Sequence, residues 1–166
     1  MLLFLKNLAF TVLAPGTVAF YLPVAIGTRH GGWGATTLRD ALVAAPLLLA
    51  GTALYLWCVW DFATFGRGTP APIDPPRHLV ARGAYRWVRN PMYVGVVTAI
   101  AGWLVVFHST VVLAYMAVVA IIIYLFVTLF EEPQLQRRFG DEYKAYCRSV
   151  PRWLPRRPRA GASTEM

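Results

Sequence analysis

Two adjacent carboxylates, Glu131 and Glu132, come directly after a long apolar segment of the chain. Carboxylates at a membrane boundary are costly unless water solvates them or a cation pairs with them. One of the two could therefore hold a cationic group of a ligand, while the other pairs with an arginine. A solvated helix end is the alternative explanation of this pair.

The arginine-rich segment 78–95 carries the second pattern with chemical potential. Asn90 and Pro91 indicate the start of a helix, because Asn is a favoured N-cap and Pro fits the first helical position. Gly95, one turn later, lets a ligand or another backbone approach closely. A capped helix accounts for Asn90 and Pro91, but it does not account for Tyr93 and Gly95 beside so many arginines.

Four apolar segments are candidate membrane-spanning helices that would position these residues, since a spanning helix needs about 20 mostly apolar residues. The composition agrees, because 57% of the residues are hydrophobic and only 14% are charged. The expected spans are residues 2–26, 38–62, 92–107 and 111–130. Spans three and four are joined by a tight turn at 108–110, which makes them a helical hairpin.

The hairpin brings the two patterns together, because it places residues 90–95 and the Glu131-Glu132 pair at the same end of the bundle. A pocket with paired carboxylates, a close-approach glycine and aromatic rings suits a cationic, partly aromatic ligand. S-adenosylmethionine is such a ligand, since it has an ammonium group, a sulfonium and an adenine ring.

The segment after the Glu pair predicts an amphipathic helix, because apolar and aromatic residues recur there at helical spacing among charged ones. The recurring residues are Leu135, Phe139, Tyr143, Tyr146 and Val150. Three regions follow from this reading: two N-terminal spans in 1–65, a core in 66–155, and a disordered basic tail in 156–166.

The net charge of +8 is compatible with a nucleic acid or an anionic membrane surface as the partner. The arginines flank the apolar spans, so we expect membrane lipids and no nucleic acid. Positively charged loops stay on the cytoplasmic side, which places the central loop, the candidate pocket and both termini in the cytoplasm. No residues have the spacing of a metal site, so no metal is expected.

The motifs resemble those of the superfamily of isoprenylcysteine carboxyl methyltransferases and phospholipid methyltransferases, and the likeness covers roughly residues 74–155. The matching stretches are His78-Leu79-Val80, Gly83-Ala84-Tyr85, Arg89-Asn90-Pro91-Met92-Tyr93-Val94-Gly95 and Glu131-Glu132. The apolar spans and the amphipathic segment predict an all-α integral membrane bundle, with four transmembrane helices and a C-terminal amphipathic cytoplasmic helix. The resemblance implies an integral membrane enzyme that uses S-adenosylmethionine, releases S-adenosylhomocysteine and methylates a lipophilic acceptor from the bilayer.

Residue roles follow from the resemblance where the motif matches. Glu131 and Glu132 would hold the polar end of the cofactor. The other implied cofactor-binding residues are His78, Leu79, Val80, Gly83, Tyr85, Arg89, Asn90, Pro91, Tyr93 and Gly95. The candidate catalytic residues are Glu131, Glu132, Arg89 and Arg152. An arginine such as Arg86, Arg89 or Arg152 would seat a carboxylate acceptor, and Glu131, Glu132 or His78 would deprotonate an amine acceptor.

Departures from the family pattern leave the acceptor open. Asn90 stands where carboxyl methyltransferases usually have His, and the end of the fourth span has no arginine. The stretches 90–93 and 131–133 look more like phosphatidylethanolamine N-methyltransferases, whereas 139–143 and 150–152 look more like the carboxyl-methylating branch. The alternative function is a non-catalytic membrane module that binds lipid or acts as a scaffold. The oligomeric state is left open.

Overall fold

The computed structural model describes residues 11–30, 37–66 and 78–155, and every regular element in these ranges is helical. Helix α1 has a π-helical part, Val12–Tyr21, followed by an α-helical part, Leu22–His30. The expected all-α class is thus confirmed. The N-terminal part of the expected first span, residues 1–10, and the expected disordered tail, 156–166, lie outside the described residues.

The remaining helices follow the predicted spans closely. Helix α2, Leu38–Asp61, continues as a π-helical turn, Phe62–Gly66, and a short 3-10 turn covers Gly83–Arg86. The other helices are α3 (Pro91–Phe107), α4 (Thr110–Phe126) and α5 (Glu132–Ser149), and a π-helical segment, Val127–Glu131, joins α4 to α5 without a break.

Two of the helices are long and apolar enough to cross a membrane, namely Leu38–Gly66 and the apolar part of Thr110–Ser149. Helix α3 is apolar but shorter. It lies at the centre of the bundle and packs against α1, α2 and α4. Its Ile100 is fully buried.

Glycines allow α2 and α3 to pack backbone to backbone. A Cβ atom on Gly51 would lie 2.6 Å from the carbonyl oxygen of Gly95 and 2.7 Å from the nitrogen of Ala99. A Cβ atom on Gly95 would lie 2.7 Å from the carbonyl oxygen of Gly51. Small residues at helix interfaces are a common means of close packing in membranes. This contact fixes the register of α3, whose first turn carries the site.

A tyrosine compensates for a proline in α1. Pro23 has no N–H, so the carbonyl five residues earlier, that of Val18, loses its π-helical partner. The hydroxyl of Tyr115 in α4 donates to this Val18 oxygen at 2.7 Å. Because unsatisfied backbone groups are costly in an apolar environment, this bond ties α1 to α4.

The predicted tight turn at 108–110 is confirmed. His108 ends α3 in the left-handed conformation, with φ 47°, and Ser109 caps α4 through a bond from the amide of Val112. The Nε2 atom of His108 lies 3.2 Å from Oδ1 of Asp40, in the first turn of α2. The α3–α4 turn is thereby joined to α2.

The Gly51–Gly95 contact predicts a position-specific loss of stability. Gly51→Val should lower the free energy of unfolding by about 1–3 kcal/mol, because overpacking forces the two backbones apart. Ala50→Val is the matched control, since Ala50 is the exposed neighbour of Gly51 on α2. Thermal unfolding in nanodiscs, followed by circular dichroism, measures both. Equal melting temperatures for the two variants would contradict the packing assignment.

Candidate functional site

The Glu131-Glu132 pair lies where the helix widens. The π-helical segment Val127–Glu131 ends on the first carboxylate, and α5 begins on the second. Short π-helical segments inside long helices are frequent at functional sites. Both side chains are half-buried, and they have entirely different partners.

Glu132 is held by two arginines. The Nε and Nη2 atoms of Arg152 donate to its two carboxylate oxygens at 2.8 and 2.7 Å, and Nη1 of Arg89 lies 3.0 Å from Oε1. The hydrogen bonds from Arg152 to Glu132 raise the pKa of the Arg152 guanidinium above its ordinary value. Bidentate pairs of this kind are the strong, directional ones. We call Arg89, Glu132 and Arg152 the arginine–glutamate cluster.

Glu131 has a single hydrogen-bond partner within the described part of the chain. The hydroxyl of Tyr93, in the first turn of α3, donates to its Oε2 at 2.8 Å. The second oxygen, Oε1, is left for another partner. The sequence expectation that one carboxylate pairs with an arginine of the central loop is confirmed for Glu132, and Glu131 is the one that stays open.

Hydrogen bonds join the end of α5 and the segment after it to the segment before α3. The amide of Arg89 donates to the carbonyl of Pro151 at 2.8 Å, and Nδ2 of Asn90 donates to the carbonyl of Arg152 at 3.2 Å. The hydroxyl of Tyr146 donates to the carbonyl of Tyr85 at 2.8 Å. These bonds hold Arg152 where it reaches Glu132.

Asn90 takes a different role from the one that its position suggests. It stands at the N-cap with Pro91 at the first helical position, as predicted, but its side chain makes no capping bond. Its amide bonds to the tail instead. The capping interpretation of the Asn90 side chain was therefore wrong, because the bond from Nδ2 to the Arg152 carbonyl holds the amide in an orientation in which Oδ1 accepts no capping bond.

An apolar cavity of about 350 Å³ lies between α3 and α4, next to Tyr93. Ligand pockets in proteins are typically about 300–1,000 Å³. The hydroxyl of Thr98 donates to the Val94 carbonyl, and that of Tyr93 donates to Glu131. The lining residues are Tyr93, Val94, Val97, Thr98, Ala120, Ile123, Tyr124 and Trp153. No described lining residue carries a positive charge.

Several residues assigned by resemblance to the cofactor lie away from this cavity lining. Gly95 packs against Gly51, and it is two positions from Tyr93, which places the two on opposite faces of α3. Val80 and Tyr85 are buried in the core. Leu79 packs on Tyr143, Tyr146 and Val150, and His78 is exposed.

Some residues at the site were not anticipated from the sequence. Trp153 lines the cavity, and its ring centroid lies 6.4 Å from that of Tyr124. Cys147 is a free thiol, and its Sγ accepts a hydrogen bond from Nη1 of Arg89 at 2.8 Å. The spacing of Tyr143, Cys147 and Val150, which share one helix face, is the signal that could have placed Cys147 inward.

Comparison with known proteins identifies one family. Residues 40–142, more than half of the chain, match the family model described as phospholipid methyltransferase. No curated protein and no solved structure matches the chain. The matched range includes Arg89, Tyr93, Glu131 and Glu132, whereas Arg152 lies beyond it.

The arginine–glutamate cluster predicts a specific loosening of the tail. Glu132→Gln should raise the rate of tryptic cleavage after Arg152 by about tenfold or more, because charged hydrogen bonds contribute roughly 1.5–3 kcal/mol against local opening. Glu142→Gln, on the exposed face of the same helix, is the control. Mass spectrometry of a digestion time course gives both rates. Identical cleavage of the two variants would show that Glu132 does not hold the tail.

Proposed function

The chain belongs to the phospholipid methyltransferase family, and from this premise we propose that it transfers the methyl group of S-adenosylmethionine to the amine of a phospholipid. The observation that carries this choice is the division of the Glu pair. Glu132 is taken by Arg89 and Arg152, whereas Glu131 remains open beside an apolar cavity. A membrane methyltransferase is what the family and the two apolar helices indicate.

We further propose the topology that the charge pattern favours. Four spans place both termini on the cytoplasmic side, and α5 lies there as an amphipathic helix. Residues 66–155 form the catalytic core, behind the two N-terminal spans in 1–65. The family match over 40–142 supports a functional core that also includes α2.

The arginine–glutamate cluster fits the amino-acid end of S-adenosylmethionine. The cluster has two positive charges and one negative charge, so it can bind a carboxylate at an arginine and an ammonium at Glu132. The buried Nε of Arg89 has no hydrogen-bond partner in the described chain, which leaves a donor unsatisfied. When bound, the cofactor supplies a methyl group on a positively charged sulfur. By resemblance, residues 78–95 would line its other parts.

The charges around the cavity favour an amine acceptor over a carboxylate. A carboxylate acceptor needs a cation, but Arg89 and Arg152 belong to the cluster that we assign to the amino-acid end of the cofactor. The described cavity lining supplies no further cation. An isoprenylcysteine carboxylate would therefore lack a cationic binding group, whereas a protonated amine would meet the carboxylate of Glu131.

Glu131 is the base that the geometry favours among the three candidates. Both oxygens of Glu132 are engaged by arginines, and His78 is exposed and distant in sequence from the cavity lining. Glu131 has an available Oε1, and the Tyr93 hydroxyl fixes its orientation through Oε2. Oε1 takes a proton from the acceptor ammonium, which frees the nitrogen lone pair for methylation. The apolar walls exclude water and align the acceptor chain.

The proposal predicts product binding that depends on Glu132. Purified protein in nanodiscs should bind S-adenosylhomocysteine in calorimetry, and Glu132→Gln should raise the dissociation constant about tenfold or more through loss of charged hydrogen bonds. Glu142→Gln should bind like the wild type. Absence of binding to the wild type would contradict the enzyme assignment. It would favour a non-catalytic lipid-binding module. Lipid binding by such a module weakens with ionic strength and does not depend on Glu131 or Glu132.

The assignment of Glu131 as base predicts a loss of rate with the affinity retained. Glu131→Gln should lower kcat for phosphatidylethanolamine by about 10²–10⁴-fold, the usual contribution of a general base. Tritiated methyl transfer measures this, with a prenylcysteine analogue as the competing acceptor. We expect labelling of the amine lipid only. Labelling of the prenylcysteine analogue alone would overturn the choice of acceptor.

A further inference from the structure

Asp61, the last residue of α2, is buried, with only 3% of its surface exposed. Its Oδ2 atom is buried and has no hydrogen-bond partner in the described chain. A buried, unsatisfied carboxylate oxygen is costly, so stability alone gives no reason for an aspartate here.

Asp61 and Phe65, in the π-helical turn after it, both contact the side chain of Arg82. The Nε of Arg82 lies 3.7 Å from Oδ1 of Asp61, and its guanidinium carbon lies 3.2 Å from the centroid of the Phe65 ring. A guanidinium stacked on an aromatic face is attracted by the ring quadrupole. Arg82 is thus held on two sides, by charge and by stacking.

The residue after Arg82 is seated directly on Asp61. Gly83 has φ 54°, and a Cβ atom there would overlap Oδ2 of Asp61 and lie 3.2 Å from Nε1 of Trp57. Glycine is therefore required both by conformation and by contact. The ring of Phe62, the first residue of the π-helical turn, packs edge-on to Tyr85 at 5.7 Å.

This seated turn leads directly into the candidate site. The 3-10 turn Gly83–Arg86 is closed by the amides of Trp87 and Val88, which donate to the Ala84 carbonyl at 3.0 and 3.3 Å. Arg89 and Asn90 follow at once. A displacement of Arg82 and Gly83 would therefore move the guanidinium that holds Glu132.

We propose that Asp61 is a positioning residue. Through Arg82 and Gly83 it fixes the turn that sets Arg89 against Glu132. The consequence for cofactor affinity rests on the proposed function, whereas the consequence for the turn does not. In the described part of the chain, Asp61 is not a lining residue of the cavity and forms no ion pair with the arginine–glutamate cluster, so it acts through the backbone of residues 82–90.

Hydrogen exchange tests the positioning directly. Asp61→Asn and Arg82→Gln should each speed exchange in peptides covering residues 82–90, and the double variant should match the single ones because the two side chains act together. Exchange in α4 should not change. Arg82 is half exposed, so its variant stays folded even where Asp61→Asn does not. Glu142→Gln is the control. Wild-type exchange over 82–90 in both single variants would overturn the proposal.

Kinetics separate positioning from a merely structural role. Both single variants should raise KM for S-adenosylmethionine about tenfold or more, as expected when binding groups are misplaced by about 1 Å, while KM for the lipid acceptor is unchanged. Lower Vmax with both KM values unchanged would indicate a smaller folded fraction and would contradict positioning. A wild type without methyl transfer would overturn the proposed function, and hydrogen exchange would still decide the role of Asp61.

Discussion

The site depends on one interaction, the attachment of Glu132 to Arg89 and Arg152. It joins three parts of the chain that are far apart in sequence: the segment before α3, the start of α5 and the segment after α5. Two arginines around one carboxylate leave the local charge positive, which suits an anionic group of a ligand. The same attachment separates the Glu pair into two chemical environments, because arginines occupy both carboxylate oxygens of Glu132, whereas Glu131 is bonded to Tyr93, which lines the cavity.

The helices explain how such an attachment forms at the edge of an apolar bundle. Helix α4 continues through a π-helical segment into α5, so the carboxylates are carried out of the apolar region on a continuous scaffold. The left-handed Gly140, with φ 55°, bends α5, and Tyr146 then reaches the carbonyl of Tyr85. Close packing of Gly51 on Gly95 fixes α3, and with it Tyr93. Asp61 contacts Arg82 and Gly83 and thereby positions the turn that precedes Arg89.

Much of this arrangement could be predicted from the sequence, because hydrophobic length and helix-start signals are local. The bounds of α2 and α3, the turn at His108 and the pairing of one carboxylate with a central-loop arginine followed from such signals. The side-chain partners of Asn90, Asp61 and Trp153 did not, because each depends on segments packed from elsewhere in the chain. Gly95 was correctly identified as a close-approach position, but the sequence alone could not distinguish a neighbouring helix from a ligand.

The central claim is that the two adjacent carboxylates perform separate tasks, and a double-mutant cycle on methyl transfer tests it most directly. The measured quantity is kcat/KM for Glu131→Gln, Glu132→Gln and the double variant. Separate tasks predict that the two losses multiply, because independent contributions to the transition-state free energy add. A double variant no worse than the poorer single variant would show that the pair acts as one unit on one ligand group, and this would contradict the account.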